Sequence, residues 1–217
     1  MANYKAVIFD LDGVICSTDE QHYQGWQALA DRLDIPFSRE VNNRFRGVSR
    51  MACMDILEEI GGKHYTEEEK VAYATWKNDY YRQLLGEISP ADLSLEVKST
   101  LDALRSRGYL LAIGSSSKNT KYILQRLGLE GYFDAISDGT NIVRSKPDPE
   151  VFLKSADFVS MPYENCLVVE DAISGVEAAH AAGMKAAAVG DAAENHVGDY
   201  IMASFSDLLK LLPGVKE

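Results

Sequence analysis

A doubly wound parallel sheet carrying an all-helical insertion is the fold class this chain predicts, and two features carry the prediction. The first is a short, continuously apolar run near the start, Ala6-Val7-Ile8-Phe9, the pattern of a strand covered on both faces. The second is its sequel. Residues 17–88 repeat their apolar positions only at helical spacing, and from there strand-like and helix-like runs alternate to the end of the chain. Such alternation implies right-handed crossovers and a parallel sheet with helices on both faces.

After Gly13 the pattern turns helical. His22, Trp26, Leu29 and Leu33 are spaced 4, 3 and 4, one stripe of a helix, and Thr18 with Gln21 predicts a capping box at its start. A second helix is expected around Met51 to Ile60. A third runs from Thr66, paired with Glu69 in another capping box, to about Leu85. Beyond Ser89-Pro90-Ala91-Asp92, Leu101 and Leu104 mark a helix stopped by Gly108. Tyr109 to Ile113 reads as a strand, Lys118 to Leu127 as a helix ended by Gly128, and Phe133 to Ser137 as a short strand. Pro149 to Phe158 is a helix, with Asp148 as its cap and proline at the first position. Cys166 to Val169 is a strand and Ile173 to Ala182 a helix closed by Gly183. Lys185 to Val189 is the next strand, the pattern near Tyr200 is indistinct, and Phe205 to Leu212 is a last helix. The economical arrangement is a Rossmann-like core of residues 1–16 and 90–217 with a helical cap, residues 17–89, inserted after the first strand.

The chain has 217 residues, enough for one such core with an insertion. Its net charge of -11 argues against a nucleic-acid surface, and means that a local positive site must draw any anionic substrate. No apolar run approaches a membrane span, and the first residues lack the pattern of a secretory leader, so a cytoplasmic protein with no membrane partner is expected. Cys16, Cys53 and Cys166 are odd in number and scattered, which fits neither a disulfide framework nor a zinc site. Without a coiled-coil seam or other interface segment, a monomer is the default.

In doubly wound folds ligands bind beyond the carboxyl ends of the strands, and the chemistry-bearing residues fall there. Asp10 and Asp12 follow the first strand, Ser115 the second, and Glu170 with Asp171 a later one; Lys146 precedes Pro147. Singly, each has an ordinary explanation: a chance pair of acids, a helix N-cap, a solvated lysine, acids complementing a helix dipole. Together they repeat at successive strand ends in one order, which accident explains poorly. Clustered carboxylates repel unless a cation holds them, and an all-oxygen site suits Mg2+. One aspartate could then attack phosphorus, the other could move a proton, and Lys146 and Ser115 would hold phosphoryl oxygens. The decapeptide AVIFDLDGVI thus predicts phosphoryl transfer.

These motifs, FDLDGVI (Phe9 to Ile15), IGSSSKN (Ile113 to Asn119), SKPDP (Ser145 to Pro149) and VVEDA (Val168 to Ala172), resemble those of the haloacid-dehalogenase-like phosphotransferases. HYQGW (His22 to Trp26), GVSR (Gly47 to Arg50), KNDYY (Lys77 to Tyr81) and SPAD (Ser89 to Asp92) are similar to the beta-phosphoglucomutase group within them. The resemblance implies that Asp10 is the nucleophile and that Asp12 is the general acid/base, its carbonyl also facing Mg2+. Glu170 and Asp171 would complete the metal ligands, and Ser115 and Lys146 would hold the transferring group. Arg50, in the Gly47 loop, would bind the other phosphate of a sugar bisphosphate, helped by Ser117 and Asn119. Thr18 and His22 would tie cap closure to Asp12, although His22, on a stripe with Trp26, is by default a packed core histidine. Arg46 stands where the group often has lysine, and Lys77 either reaches substrate or is one exposed charge on a helix. The activity implied is Mg2+-dependent interconversion of beta-glucose 1-phosphate and glucose 6-phosphate, through an aspartyl phosphate and glucose 1,6-bisphosphate. A sugar-phosphate phosphatase on the same core is the alternative, and a non-catalytic sugar-phosphate-binding regulator a third.

Overall fold

The run Ala6–Phe9 forms strand β1, with all four side chains buried. The computed structural model describes residues 3–45 and 49–215. Continuous burial follows from β1's central place: it pairs in parallel with β2 (Leu110–Gly114) on one side and β4 (Cys166–Glu170) on the other. Ala6 lies opposite both Leu110 and Cys166, and Phe9 opposite both Ile113 and Val169. With β3 (Ala135–Ser137), β5 (Lys185–Ala188) and β6 (Tyr200–Ile201), the sheet has the order β3-β2-β1-β4-β5-β6, all pairs parallel. A parallel sheet puts every strand's carboxyl end on one rim, so Asp10, Ser115, Asp138 and Asp171 leave the sheet on the same side.

The residues divide into two compact units, Met1–Ser17 with Ile88–Glu217, and Thr18–Glu87. The first holds the sheet and helices α5 (Leu95–Ser106), α6 (Thr120–Arg126), α7 (Glu150–Phe158), α8 (Ile173–Ala181), α9 (Gly190–Glu194) and α10 (Leu208–Leu211). One of its core clusters packs Val151, Phe152 and Ala156 of α7 and Val176, Ala178 and Ala179 of α8 against Ile8, Ala112, Val168 and Ala186. The alanines of β5 keep that strand thin, so α8 can lie close on it. The indistinct region near Tyr200 is resolved as β6, a two-residue edge strand whose Tyr200 hydroxyl lies 3.0 Å from that of Tyr4.

The second unit contains α1 (Asp19–Arg32), α2 (Arg39–Asn42), α3 (Arg50–Gly61) and α4 (Glu67–Leu85). Of the expected stripe His22, Trp26, Leu29 and Leu33, the last three pack with Phe45, Met54, Leu57 and Ala74. Thr66 and Glu69 form the expected capping box at α4, with reciprocal bonds of 2.8 and 3.2 Å. The box expected at Thr18 and Gln21 does not form: the Thr18 side chain makes no cap, because its buried hydroxyl sits 2.9 Å from that of Tyr81. The start of α7 is also corrected. Pro149 takes the N-cap position rather than the first turn, and Asp148 accepts the Glu150 N–H at 3.0 Å. Among the described residues no helix is long and apolar enough to cross a membrane, and the three cysteines are free.

Candidate active site at the sheet rim

Asp10 is the first residue past β1, and its N–H is fixed by the Val169 carbonyl at 3.0 Å. Asp10 is 7% exposed, and Glu170, closing β4, is 1% exposed. The Lys146 ammonium donates to both, to Oδ1 of Asp10 and Oε1 of Glu170. Phe152 of α7 lies beneath that ammonium, 4.7 Å from Nζ to the ring centroid. The other Glu170 oxygen accepts the Ala172 N–H at 2.9 Å. Strand ends and one buried cation therefore gather three of the expected residues at one point.

Two glycines make this possible. A Cβ on Gly175, in the first turn of α8, would meet the Glu170 carboxylate at 2.0 Å, and one on Gly13 would meet Oδ2 of Asp171 at 2.0 Å. Gly13 also has φ +87, where side chains are strained. Sequence reading assigned no role to Gly175 or Phe152, and Gly13 stood in a motif without a role of its own. The usable signal for Gly175 was a glycine within a helix, which costs about 1 kcal/mol against alanine and so asks for a packing reason.

Electrostatics follow from this crowding. Burial pushes the Asp10 carboxyl up to about 7, with Glu170 and Asp12 adding to the rise and Lys146 opposing it. Asp171 is pushed up to about 8, by burial first and then by Asp10, Glu170 and Asp12. Burial works against the Lys146 charge, yet Asp10 and Glu170 hold its ammonium above the ordinary range. Burial, then the Asp12 and Asp10 charges, also push the nearby Cys16 thiol up, so it is not a thiolate nucleophile.

One lysine cannot balance Asp10, Asp12, Glu170 and Asp171, and the excess negative charge is of the kind a divalent cation relieves. The donors are carboxylate and carbonyl oxygens, the hard ligands Mg2+ takes, and the glycines leave room for two of the carboxylates. The residues fit the ion in kind. Their arrangement here is centred on Lys146, and among the described residues no three His, Cys, Asp or Glu side chains converge as a ready-made metal cluster.

Ser115, 3% exposed, leaves β2 with its N–H on the Ser137 carbonyl at 3.1 Å. Its Oγ accepts the Ser117 N–H at 3.3 Å, and the Ser117 Oγ accepts the Asn119 N–H at 3.2 Å. These side-chain turns curl the segment into α6, and a hydroxyl that accepts still has its own proton to donate.

The second unit has its own polar cluster. Lys77 is 4% exposed, so it is not a solvated charge on a helix face. Its Nζ lies 3.1 Å from Nδ1 of His22 and over the rings of Trp26 and Tyr81, at 4.7 and 4.6 Å. His22, partly buried, stacks on Tyr81 with centroids 4.2 Å apart. Arg50 opens α3 and donates from Nη2 to Oδ1 of Asn78 at 2.8 Å. Arg46 and Gly47 lie outside the described residues.

Residues 4–183, from before β1 to the end of α8, match the profile of the haloacid dehalogenase-like hydrolases. The chain belongs to that family. A beta-phosphoglucomutase of Bacillus subtilis is 38% identical over 211 residues, covering 96% of this chain and 93% of that protein. A phosphorylated carbohydrates phosphatase of Thermotoga maritima is 32% identical over 184 residues, 83% of this chain and 82% of that protein. Among solved structures, a beta-phosphoglucomutase of Clostridium difficile superposes with a TM-score of 0.86 at 36% identity, covering 94% of this chain and 93% of that one. The family's fold matches the sheet described above, and its members include both mutases and phosphatases.

Proposed function

We propose that this family member is a Mg2+-dependent beta-phosphoglucomutase that interconverts beta-glucose 1-phosphate and glucose 6-phosphate through an aspartyl phosphate on Asp10. The observation that carries the reading is the 38% identity to the Bacillus subtilis enzyme across 96% of the chain, both units included.

Asp10 is the nucleophile. Its carboxylate oxygen forms a bond to phosphorus as the bond to the sugar or bisphosphate oxygen breaks, and Asp12 gives that oxygen its proton. Lys146, bonded to Asp10 in the resting site, and the Ser115 hydroxyl then hold the phosphoryl oxygens and offset their charge. In the return step Asp12 takes the proton from the other hydroxyl of the sugar, and Asp10 leaves as carboxylate. Asp10, the Asp12 carbonyl, Glu170 and Asp171 would hold Mg2+, which when bound would supply charge neutralisation at the transferring group. Arg50 offers a planar fork suited to the non-reacting phosphate, with Ser117 and Asn119 as further donors. Thr18 and His22 take the role of linking cap closure to the Asp12 proton, Lys77 is a substrate-binding candidate, and Gly47 and Arg46 belong to the substrate loop by motif.

The test is a product assay. With beta-glucose 1-phosphate, Mg2+ and a trace of the 1,6-bisphosphate, glucose 6-phosphate should form with little free phosphate. Release of one phosphate per sugar with no isomer would reassign the protein as a phosphatase, the activity of the Thermotoga maritima relative. No turnover would favour a sugar-phosphate-binding regulator.

A further inference from the structure

The turn that leaves β3, Ser137 to Asn141, had no role in the sequence motifs, yet it is bonded to the Ser115–Asn119 segment at two points. The Ser137 carbonyl takes the Ser115 N–H at 3.1 Å, and the Gly139 N–H donates to the Ser117 carbonyl at 3.1 Å. The β2–β3 pairing thus continues past the strand ends and grips the serine segment. Gly139 sits too close for any side chain: a Cβ there would lie 2.4 Å from the Ser116 carbonyl oxygen and 2.9 Å from the Lys118 backbone nitrogen. Both are backbone atoms, so they could yield only if the segment moved.

Asp138 folds the turn. It is fully buried, and its Oδ1 accepts from the Thr140 N–H at 2.9 Å and the Thr140 hydroxyl at 2.5 Å. Its own N–H donates to Oδ1 of Asn141 at 3.1 Å. The other Asp138 oxygen, Oδ2, is buried without a hydrogen-bond partner, and so is the hydroxyl oxygen of Ser116. A buried polar atom left unpaired is costly and asks for a reason. For Asp138 the reason lies in its other oxygen, whose two bonds fold the turn that seats against the serine segment.

We propose that Asp138 and Gly139 are positioning residues for the Ser115–Asn119 segment, with Asp138 shaping the turn and Gly139 seating it, so that the Ser115 hydroxyl is held ready for phosphoryl oxygens. The functional half of this inference rests on the proposed role of Ser115; the docking half does not.

The test uses the full chain, amide hydrogen exchange and titration with inorganic phosphate, for the wild type and for Gly139→Ala, Asp138→Ala and Asp138→Asn. Gly139→Ala and Asp138→Ala should speed exchange at the Ser115 amide by about tenfold or more while amides of β1 and β4 keep their protection. Phosphate should bind about tenfold more weakly to both, since small displacements of aligned donors are costly. Asp138→Asn keeps an oxygen for Thr140 and should behave as wild type; this pair decides the matter if Gly139→Ala does not fold. Unchanged exchange and phosphate affinity in Gly139→Ala and Asp138→Ala would overturn the proposal, and so would a uniform loss of protection across the sheet. If phosphate leaves the wild-type amides of residues 115–119 unmoved, the phosphoryl-holding role of Ser115 fails, while the exchange data still decide the docking.

Discussion

Lys77 stands 3.1 Å from the Nδ1 of His22, and both rest on the ring of Tyr81. An ammonium has only protons to give, so Nδ1 must accept, and the neutral imidazole carries its proton on Nε2. Burial first, then the charges of Lys77 and Arg50, hold the His22 pKa well below the ordinary value of 6.5. The lysine therefore fixes both the tautomer and the charge state of the histidine.

This relationship sets an acid limit on stability. Below about pH 6.5 the unfolded chain protonates its histidine while the folded chain resists, so the unfolded state binds more protons. The contribution of His22 is complete above that pH and is lost as the pH falls toward the depressed folded value. Imidazole titration by NMR should show His22 neutral at pH 6, and urea unfolding should find the protein weaker at pH 5 than at pH 7. Lys77→Met removes one opposing charge and should move the His22 pKa upward. A wild-type His22 that titrates near 6.5 would refute the assignment.

Asp10→Asn keeps the shape of the side chain and removes the proposed nucleophile. Trapping of a phosphorylated protein with labelled substrate should fail, and turnover should fall by about four orders of magnitude or more, the scale seen when a nucleophile is removed. Retained turnover would require a second nucleophile at the rim, and the high thiol pKa of Cys16 makes it a poor one.

Lys146→Met tests the cluster from the other side. It leaves Asp10 and Glu170 buried without their cation, a change of the kind that costs about 3–5 kcal/mol. Urea unfolding in the absence of divalent ions should show that loss, with turnover abolished, and Mg2+ should restore part of the stability through the carboxylates left behind. Lys185→Met is the control: that ammonium is exposed and pairs with Asp199 at 2.6 Å near the solvent, so neither stability nor activity should change appreciably.

What the sequence disclosed was chiefly local or periodic. The run Ala6–Phe9, the stripe from Trp26 to Leu33 and the Thr66–Glu69 box each follow from spacing that nothing distant overrides. Asp10, Lys146 and Glu170 could be read because parallel strands carry their ends to one rim, so order along the chain becomes proximity in space. Thr18 shows the limit. Its hydroxyl is close in sequence to the start of α1 but is taken by Tyr81, which comes from α4. Whether Lys77 was an exposed charge could not be read from spacing, because its cover, Trp26 and Tyr81, is assembled only by packing. Gly139 and Gly175 matter for atoms they lack, and only the neighbours' positions reveal that.

Gly175→Ala sets helix propensity against the site. By propensity alone, alanine within α8 should stabilise by about 1 kcal/mol. Its Cβ, however, would fall 2.0 Å from Oε1 of Glu170 and 2.5 Å from Oε2, so the carboxylate must leave Lys146 and the Ala172 N–H. The clash should win, with a net loss of about 1–3 kcal/mol, the usual cost of overpacking. Turnover should fall by about a hundredfold as Glu170, the proposed metal ligand, and its lysine partner move, and more Mg2+ should be needed for half-maximal rate. Gly62→Ala is the informative comparison: nothing lies within 4 Å of its Cβ position, and only the φ of +59 opposes a side chain. It should cost about 1–2 kcal/mol through that backbone strain and leave the Mg2+ requirement unchanged. If both alanines lower stability alike and neither alters the Mg2+ dependence, Gly175 is a backbone glycine and Glu170 has no part in holding the metal.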